Sequence, residues 1–502
     1  MDAILYWNHV ALEANKVSHS NGRNEQTGPT LSSRALAIVH LAMYDALAGV
    51  AADPATLPPY LPGLPAAPAA QPGTSAAAVA AAAHAALAAL YPAQRAALDD
   101  AHRAAALEGA GISAGHAYGL AVARAMLADR ADDPGAGDAG YAASMAPGAH
   151  RPDPDNPTQG YHGPFYGTAR CFAVSARHAL DAPPAPGSAD YARYVRQVRG
   201  KGIAAELAAT LLDPGLPADV VPRTPDEYVA GIYWGYDGAF GLGTPPRLYN
   251  QIVREVVRVR GGTEAEHARL FALVNAAMAD AGILAWAEKY RHDLWRPVVG
   301  IREHDAAMGP AAAGGNPISS DCDPGWLPLG APSSNALTRE LTQTNQQYPC
   351  QHVRLGRPKN FTPPFPAYPS GHATFGAAAL HTVRLFYGTP VGDRAPDLLF
   401  QEGGADLAFV SDEFDGRTAD NLGTVRPRHA RTFPGGLWQM IEENGISRVF
   451  LGVHWAFDAF ALDAALAPDH AQTTIGGVPL GLRIAEDVWV TGNGEAPRRA
   501  TV

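Results

Sequence analysis

Cysteine is scarce: Cys171, Cys322 and Cys350 are the only thiols in 502 residues. An odd handful cannot staple a disulfide scaffold. No CxxC pair or Cys/His cluster offers a zinc or iron–sulfur centre. Charge is thin as well, at 17% Asp, Glu, Lys and Arg, against ~25% in an average globular domain. With 47% hydrophobic residues, this excludes a highly charged coiled coil and argues against disorder. Positive charge is in deficit, 38 Lys plus Arg against 49 Asp plus Glu, a formal net charge of −11. No broad cationic face is therefore expected, and nucleic acid and anionic membranes are disfavoured as partners. A small cationic pocket remains compatible with that total. Strongly apolar runs are missing too. The longest low-polarity stretch, Ala76 to Leu90, is nearly all alanine and falls short of the ~20 apolar residues of a membrane span. The opening residues MDAILYWNHVALEANK lack a cationic start and a continuous apolar segment. No standard export signal is expected, and the chain reads as soluble and, by default, cytoplasmic.

What is present is helical pattern. Ser32 to Val50 places Leu36, Val39, Met43 and Leu47 on one stripe, as a buried helix does. A proline-rich linker, Asp53 to Gly73, precedes an alanine-rich segment from Thr74 to about Ala110, which propensity reads as helix. Asp132 to Gly167 is rich in Gly, Pro, Asp and His and reads as irregular. Thr224-Pro-Asp-Glu227 and Thr263-Glu-Ala-Glu266 are capping boxes that start two helices. The second helix is expected to continue past Gly282 toward Trp295, where Pro297 stops it. Gly371 to Phe386 and Gly435 to Arg448 read as two more helices. No long period-2 alternation occurs. The fold expected is mainly α, built of packed bundles, with an amino-terminal bundle over 1–220 and a carboxy-terminal one over 221–502.

Three islands carry chemistry. In Lys289-Tyr-Arg-His-Asp-Leu-Trp-Arg296-Pro297, a helix would set Lys289 and Arg296 on one face two turns apart, able to converge on one anion. In Pro369-Ser370-Gly371-His372, a serine at a helix start leaves amides free for an anion, with His372 beside it as acid or base. In Ser447-Arg448-Val-Phe-Leu-Gly452-Val-His454-Trp-Ala-Phe-Asp458, Asp458 can orient the His454 imidazole one turn away. Arg448 and His454 would diverge in one regular helix and can converge only if the backbone changes near Gly452. Each island alone also fits an ordinary solvated face, N-cap or core histidine.

Together they form an inventory for a tetrahedral oxyanion. Arginines match its oxygens in bidentate fashion, lysine adds a point charge and amides donate without charge. One histidine can bond to the central atom while the other moves protons. Two chemistries use this set. In phosphoryl transfer the bonding histidine is a nucleophile. With vanadate, a copy of phosphate in shape and charge, it is a metal ligand.

The patterns K-x6-RP, PSGH and SR-x5-H-x3-D, in that order, resemble the shared signature of vanadium-dependent haloperoxidases and type 2 phosphatidic acid phosphatases. The likeness extends toward fungal-type vanadium chloroperoxidases in ILYWNHVALEANKVSH (4–19), SSRALAIVHLAMYDA (32–46), YHGPFYG (161–167), IYWGYDGAFGLGTPPRLYNQIVR (232–254), ARLFALVNAAMADAGILAW (268–286), PPFPAYPSGHATFG (363–376), ISRVFLGVHWAFDA (446–459) and IGGVPLGLRIAEDV (475–488). This resemblance implies two four-helix bundles with vanadate in the carboxy-terminal one. It implies His454 as the vanadium ligand, and Lys289, Arg296, Arg448, Ser370 and the Gly371 amide as holders of the vanadate oxygens. His372 is implied as acid/base and Asp237 as acidic partner of Arg448. The activity implied is oxidation of halide by hydrogen peroxide to hypohalous acid through a peroxovanadate(V), with Lys289 polarising the bound peroxide and a small organic acceptor taking the halogen. Phosphate can occupy such a site when vanadate is absent.

Trp286 and Phe365 match aromatic halide-pocket positions of chloroperoxidases, which points to chloride plus bromide. Two other readings stand beside this one. A soluble acid phosphatase of the same superfamily would use His454 as phosphoryl acceptor. A non-catalytic oxyanion-binding protein would have no need of His372. The stretch 333–360, with Cys350, is longer than the fungal type leads one to expect.

Overall fold

The computed structural model describes residues 2–51, 57–303, 322–336 and 360–502. Cys350 and nearly all of the long 333–360 stretch lie outside the described residues. The helices are α1 (Ala3–Ser18), α2 (Gly28–Val50), α3 (Thr74–Leu90), α4 (Arg95–Ala104), α5 (Ile112–Asp129), α6 (Ala189–Lys201), α7 (Pro225–Tyr233), α8 (Pro245–Arg260), α9 (Glu264–His292), α10 (Pro297–Arg302), α11 (Gly371–Phe386), α12 (Gly436–Phe450) and α13 (Gly477–Thr491). Strand among the described residues amounts to two antiparallel two-residue pairs, Gln401–Glu402 with Ala405–Asp406 and Ala408–Phe409 with Arg431–Thr432. The fold is thus mainly α, as the missing period-2 pattern implied.

Helices α2, α3 and α5 pack on one another, and α8, α11, α12 and α13 surround the second core. Helix α9 touches both groups, lying against α2 on one side and α11 on the other. Its start is the expected capping box: the Glu266 amide donates to Thr263 Oγ1 (3.3 Å) and the Thr263 amide to Glu266 Oε2 (2.7 Å). Such a cap contributes about 1 kcal/mol. Among the described residues α9, rather than the alanine run, is the single unbroken helix long and apolar enough to cross a membrane, and 94% of its apolar window is buried inside the fold. A helix apolar on every side is what a position between two bundles demands.

Two helix expectations need correction. The alanine-rich segment is not one helix: α3 stops at Leu90, Pro92 opens a short 3-10 turn, and α4 follows, turned through 118°. Proline cannot supply the amide that would continue α3. Helix α9 also stops earlier than expected, at His292. Asp293 takes a left-handed conformation (φ 46°), and Arg296 becomes the N-cap of α10. Lys289 and Arg296 therefore do not share a helix face.

Asp45 of α2 pins the middle of the proline-rich linker by accepting the amides of Tyr60 (2.6 Å) and Leu61 (3.1 Å). Burial pushes its carboxyl up to about 7, against those two amides. A carboxyl whose folded value is raised keeps its proton longer in the folded state. Its contribution is full below about pH 4 and is lost as pH rises toward 7. Asp45→Asn is thus expected to match the parent in melting temperature at pH 4 and to exceed it at pH 8, by at most about 4 kcal/mol in stability. Thermal melts of both proteins across that range check the sign.

Candidate functional site

Four chain segments meet where α9, α11 and α12 come together. The first is the start of α11. Ser370 is its N-cap: its hydroxyl accepts the Ala373 amide at 3.4 Å, and its own amide donates to the Asp458 carbonyl at 2.7 Å. Helix geometry leaves the Gly371 and His372 amides with no intrahelical acceptor, so this end favours an anion. The His372 carbonyl is gripped from behind by Tyr249 of α8 (3.0 Å) and Asn444 of α12 (2.8 Å).

The second segment is the end of α12 and the turn after it. The helix carries Arg448 and stops at Phe450. Gly452 then reverses the chain at φ 72°, where an added Cβ would stand 2.5 Å from the Gly202 carbonyl oxygen. That break brings His454 back toward Arg448. His454 Nδ1 lies 2.7 Å from Asp458 Oδ2, which also accepts the Trp455 amide at 3.0 Å. An oxygen already accepting one amide is best served by a proton on Nδ1, which leaves the lone pair on Nε2. Residues 456–458 form a 3-10 turn rather than an α-helix.

The third segment holds the other cations. Arg296 donates from Nε to the Phe365 carbonyl (2.8 Å) and from Nη1 to the Val453 carbonyl (2.8 Å), and Nη1 also stands 2.9 Å from His454 Nε2. Lys289 is wholly buried, and its Nζ donates to the carbonyls of Pro366 (2.8 Å), Ala367 (3.1 Å) and Pro369 (2.5 Å). Burial, then the neighbouring Arg296, draws its ammonium well below the usual lysine range. The Phe365 ring lies 5.0 Å from Lys289 Nζ and 4.8 Å from Arg296 Cζ, within cation–π range of both.

The fourth segment is the loop after α7. Arg448 Nη2 donates to Asp237 at 2.8 and 3.0 Å. His372 Nε2 donates to the Gly235 carbonyl at 2.7 Å and stands 4.0 Å from Asp237. Burial, then Arg448, holds His372 well below the normal imidazole range, so it is neutral and its lone pair is on Nδ1. His454 is likewise depressed by burial and then by Arg296. Asp458 is pushed up to about 7 by burial, with Lys289 and Arg296 opposing.

Asp237, Trp286, Phe365, Gly371, His372, Arg448 and His454 line one small cavity, with Pro29, Pro245, Pro363 and Phe375. Lys289, Arg296 and Ser370 stand directly behind that lining. With Asp458 behind His454, all eleven residues singled out in the sequence are thus gathered in one region. Sequence reasoning missed the four remaining lining residues and the Gly235 carbonyl. Prolines and a phenylalanine announce no chemistry, and a backbone acceptor has no signature.

The buried Arg448 has Nε and Nη1 without a hydrogen-bond partner among the described residues. Buried guanidinium donors left this way call for an anionic guest. These donors suit a small oxyanion.

The vanadium chloroperoxidase N-terminal domain matches residues 1–170 and the VCPO second helical-bundle domain matches 269–465. The vanadium chloroperoxidase of Curvularia inaequalis is 34% identical, over 97% of this chain and 90% of that protein. The chain belongs to the vanadium chloroperoxidase family. Its fold is also that of a bacterial vanadium-dependent iodoperoxidase (TM-score 0.60, 19% identity, covering 96% of this chain and 95% of that one). It is shared too by an apo-type bacterial vanadium-dependent chloroperoxidase (TM-score 0.59, 14% identity, 93% and 96%).

Proposed function

We propose that this protein is a vanadium-dependent haloperoxidase, oxidising chloride or bromide with hydrogen peroxide to hypohalous acid that halogenates a small organic acceptor. The observation that carries the reading is Arg448, with two buried, unpartnered donors in the same cavity as His454. Membership of the vanadium chloroperoxidase family supports it. Bound vanadate would supply a V(V) Lewis acid that activates hydrogen peroxide toward halide without changing its own oxidation state.

The residues do the rest. His454 Nε2 would hold the metal, in place of its present contact with Arg296 Nη1. Asp458 keeps the proton on Nδ1 and so keeps Nε2 basic. Arg448, Arg296, Lys289, Ser370 and the Gly371 amide hold the oxygens and offset their charge, preorganised in a site shielded from water. Asp237, itself in the lining, fixes Arg448 through Nη2 and leaves Nε and Nη1 for the oxygens. His372, neutral because of burial and neighbouring cations, takes the peroxide proton at Nδ1 while Nε2 stays on Gly235. Trp286 and Phe365 form a dry wall for halide. The same reading assigns the site to the half spanning 221–502, with 1–220 as the amino-terminal bundle.

The test uses metal-free protein in phosphate-free buffer. Vanadate, hydrogen peroxide and either bromide or chloride are added, and halogenation of a dimedone-type acceptor is followed. Vanadate-dependent halogenation is expected. No halogenation, with turnover of p-nitrophenyl phosphate in the absence of vanadate, overturns the reading in favour of a phosphatase. Asp458→Asn should retain the fold and lose about 10–100-fold in vanadate affinity, the usual cost of an outer hydrogen-bond partner, as read by titration calorimetry.

A further inference from the structure

His162 belongs to none of the roles above, yet the halide wall is fastened to it from several directions. Its backbone carbonyl accepts both the Trp286 indole N–H (3.0 Å) and the Tyr290 hydroxyl (2.8 Å). Its amide donates to the Pro364 carbonyl at 2.8 Å, beside Phe365. Its ring lies 6.1 Å from the Trp286 ring and 6.1 Å from the Phe365 ring, and those two are 4.9 Å apart, so the three close a triangle. Its Nε2 meets Thr30 Oγ1 at 3.1 Å, next to Pro29, which lines the cavity.

Two glycines permit this approach. A Cβ on Gly28 would stand 2.5 Å from His162 Cε1, and one on Gly163 would stand 2.9 Å from the Trp286 indole nitrogen. Outside the triangle, Tyr290 packs on Tyr141 (5.2 Å) and Tyr141 on Tyr161 (4.8 Å), which backs the loop. Burial pushes the imidazole down to about 4, so it is neutral and acts by packing and hydrogen bonding, the Thr30 hydroxyl included.

We propose that His162 is the positioning residue that sets the width of the halide pocket, and with it the discrimination between chloride and bromide. It is not among the residues that line the cavity. It holds two aromatic faces and the Pro29 side at fixed spacing, behind the lining they form. The inference rests on the haloperoxidase reading for its substrate, but its structural part can fail separately. Deleting the imidazole lets Trp286 and Phe365 spread, and a looser apolar pocket favours the larger, less strongly hydrated halide.

The experiment compares the parent with His162→Ala and Thr30→Val, the latter removing only the hydroxyl partner. In vanadate-loaded protein, His162→Ala is expected to raise the bromide-to-chloride ratio of kcat/KM about tenfold, mostly through a higher chloride KM. Thr30→Val should move it in the same direction by less. In metal-free protein, the Trp286 indole N–H resonance, assigned by its absence in Trp286→Phe, should shift in His162→Ala. Affinity for inorganic phosphate should stay within twofold. An unchanged halide ratio with an unmoved indole signal overturns the proposal, as does loss of phosphate binding together with halide turnover, since His162 would then support the whole site. If the parent itself halogenates nothing, the haloperoxidase reading falls, while the indole resonance still decides whether His162 positions Trp286.

Discussion

Replacing His454 by alanine is expected to cost at least about a hundredfold in vanadate affinity, more than an outer-shell change costs, and to drop halogenation to background. The imidazole is a neutral nitrogen base held at a fixed position with its Nε2 lone pair available, by Asp458 on one side and by the Gly452 reversal on the other. Lys289, Arg296 and Arg448 remain in the variant, so weak oxyanion binding survives as a charge effect. Titration calorimetry with vanadate and with phosphate separates the two contributions. Vanadate should lose far more than phosphate, because only vanadate gains a bond to nitrogen. Equal losses would mean that His454 serves as a hydrogen-bond donor, and the ligand assignment would be wrong.

The second large effect concerns stability. Asp237 is the carboxylate paired with Arg448, and both side chains are buried, at 4% and 1% exposure. Removing one partner of a buried ion pair strands the other and costs about 3–5 kcal/mol. Asp237→Ala should therefore lower the melting temperature of the metal-free protein strongly. Phosphate or vanadate should restore part of the loss, by supplying the stranded guanidinium with a new anion. The double variant Asp237→Ala with Arg448→Met should be more stable than Asp237→Ala alone. Additive losses in the double variant would show that the pair is not the source of the effect.

Much of this site could be read from residue order alone, for reasons that differ by island. Ser370 and His372 were legible because a helix N-terminus is a local event, written in four consecutive residues. The approach of His454 to Arg448 was conditionally legible: the 3.6-residue period forbids it in a straight helix, and Gly452 marks where the period breaks. The placement of Lys289 relative to Arg296 was misread. A continuous helix was the simplest reading, and the left-handed turn at Asp293 has no strong signature in a residue with a Cβ. The two anchors of the cavity farthest from the islands, Pro29 and Pro245, come from helix starts whose role is set by tertiary packing. His162 stood in a recognisable block, YHGPFYG, but its weight came from a carbonyl and two ring contacts that only folding creates.

The balance of charge around the cavity bears on how the protein reaches its working state. Three cations face two carboxylates there, Asp237 and Asp458, so much of the mutual repulsion is already cancelled inside the polypeptide. The chain is accordingly expected to be synthesised, purified and stored in a folded form before any inorganic guest arrives. Reconstitution then becomes simple mixing, and the contest that governs it is between vanadate and the phosphate of the surrounding medium.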